Sequence, residues 1–365
     1  MLKDSLSLLP YKLQNKLSFL FNNLSELENI LFGTNKIEIE KPIFICGLPR
    51  SGTTLLTQIL HQHNYLGSFE YRDLPFYKIP IIWNKMNMTY YGKVKPSPRI
   101  HGDNLDVGLN APDAFEELVW KEHINEYLNH GFCMYLNENY NNTKLQAVLR
   151  QYIQKILFLR KKIRYLSKGN YNIFRLHFIL RTFPSAKIII CYRNPINTAK
   201  SLERIHFKFN KISEKDKMFK KKLMELCHYE FGPQRKAIYT DKTNYDKTLN
   251  CWNIKDEFTG YLFQWLSVYK MVNENYLTNN EINKKIFLLD YDEFVKKQNF
   301  YLKDIFIFCE LEKNEKLFKQ QITVVNNKRA QDHIDIDHKL REEINLVYSS
   351  LKKFKITVPL PMNHN

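Results

Sequence analysis

The sequence predicts an α/β fold: a central parallel sheet flanked by helices and enlarged by helical insertions. Three observations carry this. Residues 42–47 (PIFICG), 186–193 (AKIIICYR) and 285–291 (KIFLLDY) are short apolar runs without polar alternation, the pattern of strands buried on both faces. The first two end in a polar turn and all three pass into a helical pattern. Strands that alternate with helices imply parallel pairing through right-handed crossovers.

In chain order, residues 1–38 read as a helical prelude. Leu17, Leu20, Phe21, Leu24 and Leu27 recur at helical spacing, and Gly33 supplies a stop. The first strand is followed by a polar turn and a helix over 54–63. Residues 75–165 lack a β pattern and are rich in helix formers after the break at Pro96-Ser97-Pro98, so they are expected to form a helical insertion. The second strand leads into Asn194-Pro195 and a helix opening near Ile196, where proline suits the first turn. A second helical insertion is expected over 205–260. The third strand precedes a helix over 292–297, and 318–365 forms a C-terminal tail and helix. At 365 residues without repeats or linkers, one domain over 1–365 is the expected organisation.

Apolar residues make up 44% of the chain and aromatics 14%, with only 11 Gly, which excludes disordered and fibrous classes. The 55 Lys+Arg against 38 Asp+Glu give a net charge of +17. That attracts polyanions but names none. The basic stretches Lys161-Lys162-Ile163-Arg164 and 208–222 read as solvated helix faces. Cys46, Cys133, Cys191, Cys227, Cys251 and Cys309 form no C-x-x-C pair, and Cys46 and Cys191 lie inside the strand runs, as small core hydrophobes do. Pro10 and charges interrupt the first residues too often for a signal-peptide core, and no apolar run approaches the roughly 20 residues of a membrane span. A reduced, cytoplasmic location is the expectation.

The turn after the first strand is Gly47-Leu48-Pro49-Arg50-Ser51-Gly52-Thr53-Thr54. It fits the G-x-x-x-x-G-K-[ST] frame of a phosphate loop except that Thr53 replaces the lysine, so the fold expected is P-loop-NTPase-like. Glycines let backbone amides converge on an anion, and the helix N-terminus adds partial positive charge. A nucleoside triphosphatase needs the lysine and a magnesium site. A sulfuryl group carries less charge than a terminal phosphoryl group and needs no metal, and Arg50 can supply the cation.

Pro49-Arg50-Ser51-Gly52-Thr53-Thr54 resembles, at every position, the P-R-S-G-T-T loop of the sulfotransferase superfamily. The resemblance implies that Arg50, Ser51, Gly52, Thr53 and Thr54 hold the 5′-phosphosulfate of 3′-phosphoadenosine-5′-phosphosulfate (PAPS). It also implies an arginine at a later strand end and a serine eight residues on, both on the 3′-phosphate; Arg193 and Ser201 have that spacing. The stretches 165–187, 288–295 and 305–311 continue the likeness, and Asn327-Lys328-Arg329 can reach the same phosphate or form a solvated loop. Lys168 matches the family's lysine near the bridging oxygen.

Two residues on, where the cytosolic branch has a histidine base, stands Asn170, which cannot take the proton. Branches acting on proteins and glycans place a glutamate about twenty residues after the loop arginine, and Glu70 has that spacing. His101 beside Asp103 is a rival base, and His228-Tyr229-Glu230 lies in an insertion that the sequence does not position.

The resemblance therefore implies a PAPS-dependent transferase without a metal, releasing adenosine 3′,5′-bisphosphate. Its acceptor is a hydroxyl, with a carbohydrate or glycan precursor favoured by the basic, aromatic-rich surface, and no nucleic-acid partner is expected. The alternatives are a P-loop kinase or NTPase, marked by magnesium-dependent ATP binding, and a non-enzymatic polyanion-binding protein, marked by salt-steep binding to DNA or heparin.

Overall fold

The computed structural model describes residues 9–86, 96–100, 106–124, 135–312, 314 and 335–354. Helices α1 (Leu9–Lys16) and α2 (Ser18–Phe32) come first, and Gly33 closes α2 in the left-handed conformation at φ 62°. Then follow β1 (Ile43–Cys46), α3 (Thr53–His61), β2 (Leu66–Gly67), α4 (Pro80–Met86), β3 (Ser97–Pro98), β4 (Asp106–Val107), α5 (Glu117–His123), α6 (Thr143–Arg160) and β5 (Arg164–Lys168). The second half holds α7 (Leu176–Thr182), β6 (Lys187–Tyr192), α8 (Pro195–Lys215), α9 (Lys217–Glu225), α10 (Lys242–Asn253) and α11 (Glu257–Val272). After these come α12 (Asn280–Asn283), β7 (Ile286–Asp290), α13 (Tyr291–Lys296), α14 (Gln298–Cys309) and α15 (His338–Lys353).

Five strands form one parallel sheet in the order β2-β5-β1-β6-β7. β1 lies in the middle, with Ile43 opposite Leu166 of β5 and Lys187 of β6. Its residues are buried on both faces. Ile43 and Ile45 pack with α3 and α14, while Phe44 and Cys46 face the core built by α6, α7, α8 and α11. Two helical layers thus enclose the sheet, and strand order reverses at β1, the place where such sheets open a crevice at their carboxyl ends.

The three strands expected from the sequence are β1, β6 and β7. Two more complete the parallel sheet. β2 is only two residues long, and β5 reads Arg-Tyr-Leu-Ser-Lys, with charge at both ends. Every residue of β5 is nevertheless buried, because its polar groups are paired. Arg164 donates to the carbonyls of Lys41, Cys309 and Glu310, and Tyr165 and Ser167 both donate to Glu116. Arg164 is therefore no part of a solvated helix face.

Among its described residues, the segment 75–165 holds the helices α4, α5 and α6, the antiparallel β3–β4 pair and the first residues of β5. Over 205–260 α8 runs on to Lys215 and α9 and α10 follow, with residues 226–241 between those two outside any helix. In the C-terminal part, α15 places Leu340, Ile344 and Leu351 in the core. Cys46 and Cys191 are wholly buried in β1 and β6, where desolvation raises both thiol pKa values. No helix among the described residues is long and apolar enough to cross a membrane.

Candidate active site

The loop from β1 to α3 is shaped by two glycines that no other residue can replace without movement. Gly47 has φ +139°, and a Cβ there would lie 2.2 Å from the Cys191 carbonyl of β6. Gly52 has φ +94°, and its Cβ would lie 2.1 Å from the Tyr291 ring. Between them Arg50 adopts φ 72°, a left-handed conformation costly for a side-chain-bearing residue. The loop is tied down internally and to the sheet. Ser51 Oγ donates to the Leu48 carbonyl at 2.6 Å, the Leu48 amide donates to Tyr269 Oη at 3.3 Å, and Tyr269 donates to the Cys191 carbonyl at 2.8 Å. The first turn of α3 begins at Thr53, so its unpaired amides and partial positive charge face the loop.

Arg50 Nε donates to Ser201 Oγ at 3.1 Å. The sequence thus places these residues 151 positions apart and the fold brings them into direct contact. Ser201 is buried in the second turn of α8, whose start is fixed by Asn194 as cap and Pro195 in the first turn. Arg193 stands just past β6. Its Nε lies 3.1 Å from Asp292 Oδ1, its guanidinium lies over the Tyr291 ring, and its carbonyl accepts from Trp265 Nε1.

Lys168 ends β5, opposite Ile45 of β1, and its Nζ donates to Asp113 Oδ1 at 2.6 Å. Asp113 also accepts from Tyr71 Oη and the Ala114 amide, and Arg99 lies 3.5 Å away. Burial alone would raise the Asp113 pKa, but Lys168 and Arg99 hold the carboxyl well below the usual carboxylate range. Arg99 Nη1 donates in turn to Thr54 Oγ1 at 3.2 Å. Thr54, Arg99, Asp113 and Lys168 therefore form one chain of contacts beside the loop. Neither Arg99 nor Asp113 carried a sequence signal, since both come from segments without a local motif.

On the other side Thr53 Oγ1 donates to Asn170 Oδ1 at 3.1 Å, and Asn170 Nδ2 donates to Glu230 Oε1 at 3.3 Å. His228 Nδ1 lies 3.7 Å from Glu230 Oε2. Burial would raise the Glu230 pKa, yet the contact with His228 brings it below its ordinary value. The fold thus sets His228-Tyr229-Glu230 against the position that a histidine base occupies in the cytosolic branch.

Glu70 is held differently. Its backbone pairs with Pro112, next to Asp113, while its carboxylate meets Arg72 at 2.7 Å, Arg160 at 2.8 Å and His61 at 3.5 Å. Burial pushes the carboxyl up to about 7 against the pull of both arginines. Burial and the Arg160 charge push His61 down to about 4, so its imidazole is neutral at physiological pH. His101, Asp103 and Asn327-Lys328-Arg329 lie outside the described residues.

A profile of the sulfotransferase family matches residues 42–231, more than half of the chain, from the strand before the Gly47–Thr54 loop to Phe231. Among curated proteins, omega-hydroxy-beta-dihydromenaquinone-9 sulfotransferase Stf3 of Mycobacterium tuberculosis is 28% identical over 215 residues, covering 52% of this chain and 54% of that protein. An uncharacterized protein of Aquifex aeolicus is 28% identical over 165 residues, 44% of this chain and 17% of that one. The chain spans about half the length of the mycobacterial relative it matches. In three dimensions it resembles the crystal structure of sulfotransferase STF1 from Mycobacterium tuberculosis, with a TM-score of 0.52 at 13% identity over 87% of this chain and 82% of that one, a likeness of fold. By the reach of the family profile, which opens on the strand and loop at 42–54, the chain belongs to the sulfotransferase family.

Proposed function

We propose that this protein transfers the sulfuryl group of PAPS directly to an acceptor hydroxyl. The observation that carries the reading is the contact between Arg50 and Ser201, because it supports one continuous nucleotide site from the loop after β1 to the helix after β6. In this reading Arg50, Ser51, Gly52, Thr53 and Thr54 take the 5′-phosphosulfate, and Arg193 and Ser201 take the 3′-phosphate. The acceptor oxygen bonds to sulfur as the bond from sulfur to the bridging oxygen breaks. A base takes the hydroxyl proton, and adenosine 3′,5′-bisphosphate leaves with the electron pair.

Lys168 is assigned to the bridging oxygen. An ammonium has three donors, and Asp113 takes one, fixing the head group at the strand end. Glu70 is assigned as base, supported by a carboxyl pKa of about 7, near the value at which a base works best at neutral pH. His228, steadied by Glu230 across from Asn170, is the second candidate.

For the acceptor, the basic surface favours a carbohydrate or glycan precursor. The mycobacterial relative named for a hydroxylated menaquinone favours a lipid hydroxyl. Incubating the protein with radiosulfur-labelled PAPS and a cell extract separates the two, since label enters the aqueous phase in the first case and the organic phase in the second. The donor is tested by thermal unfolding. Adenosine 3′,5′-bisphosphate should raise the midpoint far more than AMP, ADP or ATP, because a ligand of the folded state stabilises it by mass action. A larger shift with ATP that needs magnesium would overturn the proposal in favour of a kinase or NTPase.

A further inference from the structure

Helices α1 and α2 dock on the body by a face that is mostly polar. Gln14 Nε2 donates to the Pro75 carbonyl, Lys78 Nζ donates to Ser18 Oγ, Lys155 Nζ donates to the Ser25 carbonyl, and Glu28 pairs with Lys155 at 3.2 Å. Phe21, stacked on Phe76, and Phe32, against Phe158, are apolar members of this face. The leucines lie beside it. Leu13, Leu17, Leu20, Leu24, Leu27 and Leu31 follow one another at spacings of four and three residues, the seven-residue repeat of helices that pair with helices. Leu20 is 49% exposed, Leu27 46% and Leu31 63%, and next to them Phe19 and Ile30 are 82% and 75% exposed. Because the polar contacts fix the rotation of the helices, these leucines cannot turn inward. Contiguous exposed apolar surface of this kind marks an interaction site.

We propose that this stripe is the seam of a homodimer, in which the leucines of one copy pack against the same leucines of a second. Two observations select that occupant. A seven-residue repeat is complementary to another helix carrying the same repeat, and a two-fold axis supplies one automatically. The second is charge. In a chain of net charge +17, the surface of the segment Ser18–Phe32 carries Glu26 and neither Lys nor Arg, Glu28 being buried against Lys155. Two copies can meet here without the repulsion that the rest of their surfaces would impose, whereas a helix that lies on anionic lipid carries Lys and Arg along its polar flanks. Within α2 the stripe from Leu20 to Leu31 runs about 17 Å, at 1.5 Å per residue; Leu13 and Leu17 continue it past the non-helical backbone of Leu17, and both helices are already ordered by the body. Pairing therefore needs no folding of the helices and loses correspondingly little entropy.

Sedimentation velocity on the full chain tests this. Wild type should sediment with twice the 43.9 kDa chain mass at micromolar concentration. The double substitution Leu20→Glu, Leu27→Glu should weaken association by at least about 100-fold, the scale of removing several buried leucines, with unchanged circular dichroism. Met218→Glu, at an exposed apolar residue of α9, should leave the dimer intact. Hydrogen exchange on wild type gives a readout independent of the variants: amides of residues 18–32 should gain protection as concentration rises. A wild-type monomer throughout the range, a double variant that remains dimeric, or a wild-type monomer that binds phosphatidylglycerol vesicles through these leucines would each overturn the proposal.

Discussion

Arg50 combines an unusual backbone with a direct reach to α8: its φ is 72° and its Nε lies 3.1 Å from Ser201 Oγ. The two residues should nonetheless fail differently. Ser201→Ala should weaken binding of adenosine 3′,5′-bisphosphate by about 1–3 kcal/mol, the cost of a lost hydrogen bond to a charged group, with turnover at saturation nearly kept. Arg50→Ala should lower both affinity and turnover; calorimetry and product assays separate the effects, and wild-type affinity in Ser201→Ala would remove that residue from the site.

The base has its own signature. If Glu70 accepts the proton, it must be ionised, so activity should rise as pH climbs through about 7 and level off above it. Glu70→Gln should abolish that rise and lower turnover by about 10²–10⁴ while leaving bisphosphate binding in place. His228→Asn should be the milder change. A folded Glu70→Gln protein with normal turnover, beside a crippled His228→Asn, would move the assignment to the histidine. Circular dichroism on both is essential, because Glu70 also neutralises Arg160 and Arg72.

Among the elements, those with local signals were legible. β1, β6 and β7 are aliphatic and the loop after β1 is a motif that dictates its own backbone, so strand, turn and helix followed from the sequence. β5 was not legible, because its end residues Arg164 and Lys168 are buried only through partners more than fifty residues away. Arg99 and Asp113 were hidden for the same reason: nothing local announces a carboxylate that will meet a strand-end lysine. The His228-Glu230 pair was visible but could not be positioned without the fold.

Element junctions also set the acid response. At the end of α14, Glu310 meets Lys187 at the start of β6 at 2.7 Å and also pairs with Lys41 just before β1. Hydrogen bonds from Lys187 and Lys41 push its pKa down to about 2. A carboxyl with a depressed folded pKa stabilises the fold above its unfolded value of about 4.3 and loses that contribution as pH falls towards the folded value. Urea unfolding should therefore show Glu310→Gln less stable than wild type at pH 6, with the gap narrowing from about pH 4 and closing near pH 2. A gap that persists unchanged at pH 2 would mean that packing, not charge, joins these elements.

At the scale of the whole molecule, the excess of 17 positive charges gives a field that attracts polyanions without naming one, and sequence composition sufficed to read that much. What composition could not show is how far apart in the chain the partners of the central strand lie. β1 pairs with β5 and β6, which follow it by more than one hundred residues. During synthesis at about 5–20 residues per second, β1 and the turn after it must wait on the order of ten seconds for either neighbour to leave the ribosome. Gly47 packs against Cys191 and Gly52 against Tyr291, so the turn cannot acquire its final shape until most of the chain has emerged. The segment that looks most local in the sequence is thus among the last to be completed in folding. Until then the apolar residues of β1 remain an unpaired edge for chaperones to shield, and a nascent chain stalled before residue 192 would carry the entire phosphate-loop motif without being able to hold the nucleotide.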